Sequence, residues 1–109
     1  MTKIEFIRDG QDYLGFSASG HAGNLPEGEN IVCAAISAAV ELTECQLTDV
    51  LLLETDVRVD PKTASVSVKL KTAQAQAQAP IRALRMYLEE LAQTYPRLLK
   101  ISEVSPCLS

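Results

Sequence analysis

Tryptophan is absent, histidine occurs once, and aromatic residues make up only 5% of the 109-residue chain. Ten Lys and Arg stand against 14 Asp and Glu, a formal net charge of −4, and no basic cluster is interleaved with aromatics. Direct nucleic-acid binding is therefore not expected, and a basic partner suits the charge better. No run approaches the ~18 consecutive apolar residues of a membrane helix, and MTKIEFIRDG lacks the apolar core of a signal peptide. The expectation is a cytoplasmic protein with no membrane contact. Three cysteines, Cys33, Cys45 and Cys107, are too few and too irregular for a disulfide framework, so reduced thiols are expected. Phosphate-loop, dinucleotide-binding and diagnostic carboxylate-pair motifs are also missing, and no cofactor is expected.

What is present is a composition of 47% apolar and 22% charged residues, which suits one globular domain spanning residues 1–109. Residues 3–8 and 13–19 read as strands joined by a turn at Asp9-Gly10-Gln11-Asp12, with Gly15 slightly weakening the second. A glycine-rich loop follows from Gly20 to Glu29. Asn30 reads as an N-cap, opening a long helix whose apolar stripe is Ile36, Val40, Leu47 and Leu51. Residues 55–59 and 64–71 form a second hairpin in which Val66, Val68 and Leu70 alternate with Ser67, Lys69 and Lys71.

The stretch TAQAQAQAP has high helix propensity, but Pro80 suits a first helical turn better than an interior position. Ile81, Leu84, Leu88, Leu91 and Tyr95 step along a second helix that Pro96 ends, and residues 98–104 add an edge strand. The order ββαββαβ predicts an α+β two-layer sandwich, a mainly antiparallel sheet covered on one face by two helices. The open face must be polar or covered by another subunit, and a homodimer is one expectation.

The histidine, His21, and the first cysteine, Cys33, flank the glycine-rich loop. If Asn30 caps the helix, Cys33 is its third residue, where free N–H groups and the helix dipole favour a thiolate. His21 could then act as base and later as acid toward a leaving amine. Backbone N–H groups of the first turn and around Gly20 and Gly23 could hold an oxyanion. Ser37, one turn beyond Cys33, could orient either partner. Against this stands the buried-cysteine reading, in which Cys33 is a small hydrophobe and His21 an exposed loop residue. Zinc is disfavoured because Cys33 and Cys45 lie roughly 18 Å apart on a helix rising ~1.5 Å per residue. Cys45 then reads as a helix-packing residue and Cys107 as an incidental exposed thiol.

Gly20-His21-Ala22-Gly23, the loop, and Ile31-Val32-Cys33-Ala34-Ala35-Ile36-Ser37 resemble the ribosomal-processing cysteine proteases called Prp, as does the element order up to Tyr95-Pro96. The resemblance implies a catalytic dyad of His21 and Cys33, with Gly20 and Ser37 as characteristic motif residues. It also implies a substrate, the N-terminal extension of the large-subunit ribosomal protein numbered twenty-seven, cut after an aromatic pair. The family usually carries an acidic residue three before the cysteine, where this chain has Asn30. Asparagine can cap a helix and accept a hydrogen bond from imidazole, but it cannot stabilise imidazolium by charge, so a slower enzyme or a different pH optimum is expected. Glu27 and Glu29 either help hold or steer a basic ribosomal substrate or merely keep the loop solvated. Two other readings compete: a non-catalytic α+β dimer that binds a ribosomal or assembly partner, and a thiol redox sensor.

Overall fold

The computed structural model describes residues 1–20 and 27–106, with side chains from Ile31 onward in the second stretch. Strands β1 (Thr2–Asp9) and β2 (Asp12–Ser19) form the opening hairpin. Helix α1 (Glu27–Cys45) continues as a π-helical turn over Gln46–Val50. The hairpin of β3 (Thr55–Asp60) and β4 (Ser65–Leu70), helix α2 (Ala75–Thr94) and strand β5 (Leu99–Val104) complete the order expected.

The sheet runs β3-β4-β2-β1-β5. Three of its pairings are antiparallel, and β5 lies parallel to β1 at the far edge. The period-2 patterns decide which face is buried. Ile4, Phe6, Phe16 and Val68 are fully buried on one face and share a single core with Ile36 and Val40 of α1 and Ile81 and Leu88 of α2. Across the other face the register lines up Ser102, Glu5, Ser17, Ser67 and Arg58, a polar row that needs no subunit to cover it. Residues Ile31–Val50 have the length and a hydropathy of 1.4 that could cross a membrane, but their Val32, Ile36, Val40 and Leu47 stripe is built into this core.

Helix α1 starts at Glu27, so Asn30 lies inside its first turn and is not the N-cap. Glu-Gly-Glu-Asn holds no strong breaker, since one glycine costs only about 1 kcal/mol in a helix, and Pro26 just before it in sequence is a residue type that helix starts tolerate. At the other end the N–H of Leu51 donates to the Gln46 carbonyl (2.9 Å) and that of Leu53 to Leu47 (3.0 Å). Between them Leu52 sits at φ 55°, a left-handed conformation that costs a non-glycine residue roughly 1–2 kcal/mol.

Helix α2 also starts earlier than the apolar stripe suggests. It includes the Ala/Gln segment and places Pro80 inside the helix. Two contacts outweigh the proline. Ala77 is fully buried. Gln78 reaches β2, where its Oε1 accepts from the Tyr13 N–H (2.6 Å) and its Nε2 donates to the Tyr13 carbonyl (3.0 Å). Tyr13 borders the irregularity in the β1–β2 register between Ile7 and Arg8, where a ladder loses regular pairing. Gln78→Ala should therefore cost about 1–3 kcal/mol by leaving two part-buried backbone groups unpaired, measurable by urea denaturation. An unchanged midpoint would show that water replaces the amide.

Arg85 of α2 ties the helix to the far edge through Glu103 of β5, with Glu89 and the Tyr13 hydroxyl as further partners. Its hydrogen bond holds the Glu103 carboxyl below the ordinary value, with smaller help from Arg8. This contribution is present above the usual carboxylate range and is lost as pH falls through the lowered value.

Candidate active site

At one end of the sheet, α1 passes over the start of β1, the end of β2 and the turn between β3 and β4. The cleft between them holds about 160 Å³ and is lined by Thr2, Ser19, Gly20, Cys33, Ser37 and Glu41, with Ile36, Val40, Ala64 and Val66 as its apolar walls. Helical geometry explains the α1 side. Cys33, Ser37 and Glu41 recur every four residues and so share one stripe, beside the buried Ile36 and Val40 that anchor the helix to the sheet. Cys33 is half-buried in that wall, and Ser37 and Glu41 are exposed at it.

Gly20 closes the β2 side for a backbone reason. Its φ is +92°, and a Cβ there would lie 2.5 Å from the Met1 carbonyl oxygen. Only glycine meets both conditions without strain. The turn opposite is itself strained, since Ala64 holds φ 49° at the cleft.

The structure thus brings together Gly20, Cys33 and Ser37. His21 and Gly23 lie outside the described residues, as do the side chains of Glu27, Glu29 and Asn30 and all of Cys107. The earlier helix start corrects one argument: Cys33 is not the third helical residue, because Glu27 precedes it by six. Its amide is past the first-turn positions where N–H groups are free and the dipole acts. The first turn of α1 therefore gives Cys33 no activation. Cys45 is exposed, contrary to the packing role expected of it. Twelve residues at about 100° each rotate it by roughly 120° from Cys33, off the buried stripe.

Glu41 was missed by the sequence reading. Its signal was available in the spacing, one more step of four beyond Ser37, but nothing in the sequence marked where the stripe leaves the core and enters a cleft. Among the described residues no group of three or more His, Cys, Asp or Glu could hold a metal ion.

The family model described as cysteine protease Prp matches residues 1–100. No curated protein matches. Among solved structures, SMU.848 from Streptococcus mutans superposes with a TM-score of 0.84 at 20% identity, covering 96% of this chain and 98% of that one. The essential ribosomal processing protease Prp from S. aureus, in complex with a covalently linked product peptide, gives 0.83 at 17% identity, over 95% of this chain and 100% of that one. The same S. aureus protease with a substrate peptide gives 0.80 at 15% identity, with 95% and 100% covered. At these identities the superpositions establish a shared fold.

Proposed function

The chain belongs to the Prp family of cysteine proteases, and from that premise we propose that it removes the N-terminal extension of the large-subunit ribosomal protein numbered twenty-seven, using Cys33 and His21. The observation that carries the site assignment is that Gly20, the residue before His21 in the chain, lines the same cleft as Cys33 and Ser37. The S. aureus relative captured with a covalently linked product peptide supports a covalent route.

In this reading His21 takes the Cys33 proton, and the thiolate attacks the carbonyl carbon of the second residue of the aromatic pair. The tetrahedral oxyanion is held by backbone N–H groups of the Gly20 and Gly23 segment, since Cys33 lies beyond the free amides of α1. As the C–N bond breaks, His21 returns the proton to the leaving amine. Water, deprotonated by His21, then cleaves the thioester and frees the thiol. Ser37 orients the sulfur or the imidazole. Asn30, in the first turn, accepts from the imidazole without adding charge. Glu27 and Glu29 hold the basic substrate. The reaction needs no cofactor and takes place in the cytoplasm.

The polar open face of the sheet gives a homodimer no support. The apolar groove between α1 and α2, lined by Ala38, Leu42, Ala83 and Tyr87, is the surface a second copy would cover. Membership of a protease family sets aside the purely non-catalytic reading.

The test is cleavage of a peptide spanning the extension, with products weighed by mass spectrometry. One cut after the aromatic pair, blocked by alkylation at Cys33, is expected. Multiple unrelated cuts would overturn the substrate assignment, and undiminished cleavage after complete Cys33 alkylation would overturn the nucleophile.

A further inference from the structure

Hydrolysis needs a nucleophile, a base and oxyanion donors, yet the cleft also carries a fixed charge. Glu41 is the one acidic or basic side chain among the residues described as lining it. It is exposed, and none of the ion pairs among the described residues uses it; those belong to Arg8, Arg58 and Arg85. Val40 and Val66 line the same cleft as this carboxylate, and no ion pair among the described residues neutralises it. Such a group discriminates by charge.

Its distance from the sulfur can be reckoned from the helix. Eight residues at about 1.5 Å place Glu41 roughly 12 Å from Cys33 along α1. An extended peptide advances about 3.3 Å per residue. A peptide whose scissile carbonyl meets Cys33 and whose chain follows α1 therefore brings its third or fourth residue from the cut to Glu41.

We infer that Glu41 is a specificity-determining residue that selects a lysine or arginine side chain three to four residues from the bond that is cut. The inference rests on Cys33 being the nucleophile, since that sets the origin of the measurement. It differs from general attraction of cations by the net charge of −4, which has no positional preference along the peptide. An ion pair on an open surface discriminates by only about two- to fivefold. Comparing Lys with Glu sets an attraction against a repulsion of similar size, so the expected factor is their product, about tenfold.

The test uses the full chain and a set of cleavable peptides in which one residue, Lys or Glu, is moved from four places before the cut to four places after it. The Lys-to-Glu ratio of kcat/KM is compared for the wild type, E41Q and E41K, each checked by circular dichroism. The wild type should prefer Lys by about tenfold at the third or fourth place on one side. E41Q should reduce that ratio to about twofold, and E41K should invert it. A ratio unchanged in E41Q, or one reduced equally at every place, would overturn the inference. Undiminished cleavage by C33A would overturn the nucleophile assignment, no cleavage by the wild type would overturn the substrate assignment, and either would take this inference with it. These results are distinct from an enzyme that cleaves through Cys33 but ignores charge at Glu41.

Discussion

Cys33→Ala should lower kcat/KM for the extension peptide by on the order of 10³-fold or more while leaving the fold in place. The sulfur is half-buried in the cleft wall and absent from the core cluster, so its removal costs little packing. Chemically it removes the only atom in the reading above that bonds covalently to substrate. His21→Ala should produce a loss of similar order, because residues acting as one unit are not additive, and the double variant should be scarcely worse than either alone. Cys45→Ala supplies the control: the residue is exposed and turned away from the Cys33 stripe, so its rate should match the wild type. Mass spectrometry of the products reads the rate, and circular dichroism reads the fold. Retained cleavage by Cys33→Ala would remove it as nucleophile, whereas loss in Cys45→Ala as well would show that the loss does not depend on the Cys33 sulfur.

Gly15→Ala should cost about 3 kcal/mol, the upper range for overpacking, and lower the melting temperature by roughly 13 °C. The residue is in β2, the middle strand of the sheet, opposite Ile7 on one side and Lys69 on the other. A Cβ at this position would collide with the Val68 carbonyl oxygen and lie 3.0 Å from the Lys69 Cα. Neither neighbour is the end of a flexible side chain, so β2 and β4 must move apart and weaken the ladder between them. The damage reaches the cleft that holds Cys33, since the same two strands carry Ser19, Gly20 and Val66 to it. Activity should therefore fall below the wild type before bulk unfolding. A melting temperature within 2 °C of the wild type, read by scanning calorimetry, would show that the strands separate at little cost.

Gly15 also illustrates where reading along the chain stops. In isolation it is a glycine in a strand, a mild weakness. Only the partner strand, more than fifty residues away in sequence, makes it a requirement. Gln78 is the same kind of case: within an Ala/Gln repeat it looks interchangeable with its neighbours, yet it alone meets the Tyr13 backbone. Pro80 misdirects for a related reason, because local preference argues against an interior proline while tertiary contacts on its N-terminal side hold the turn in helix.

The amino-acid order by itself determined the element succession, the buried stripe of α1 and the alternation of β4, because hydrophobic periodicity is a local property and each element must bury its apolar face. It also carried the Gly20-His21 and Cys33-to-Ser37 motif, since residue type and spacing survive without coordinates. Tertiary structure decided where α1 begins, which cysteine faces a cleft, why positions 15 and 20 demand glycine, and that Glu41 shares a wall with Cys33. Each of these depends on groups distant in the chain and close in space, and no pattern along the chain records which backbone or carboxylate will arrive beside them.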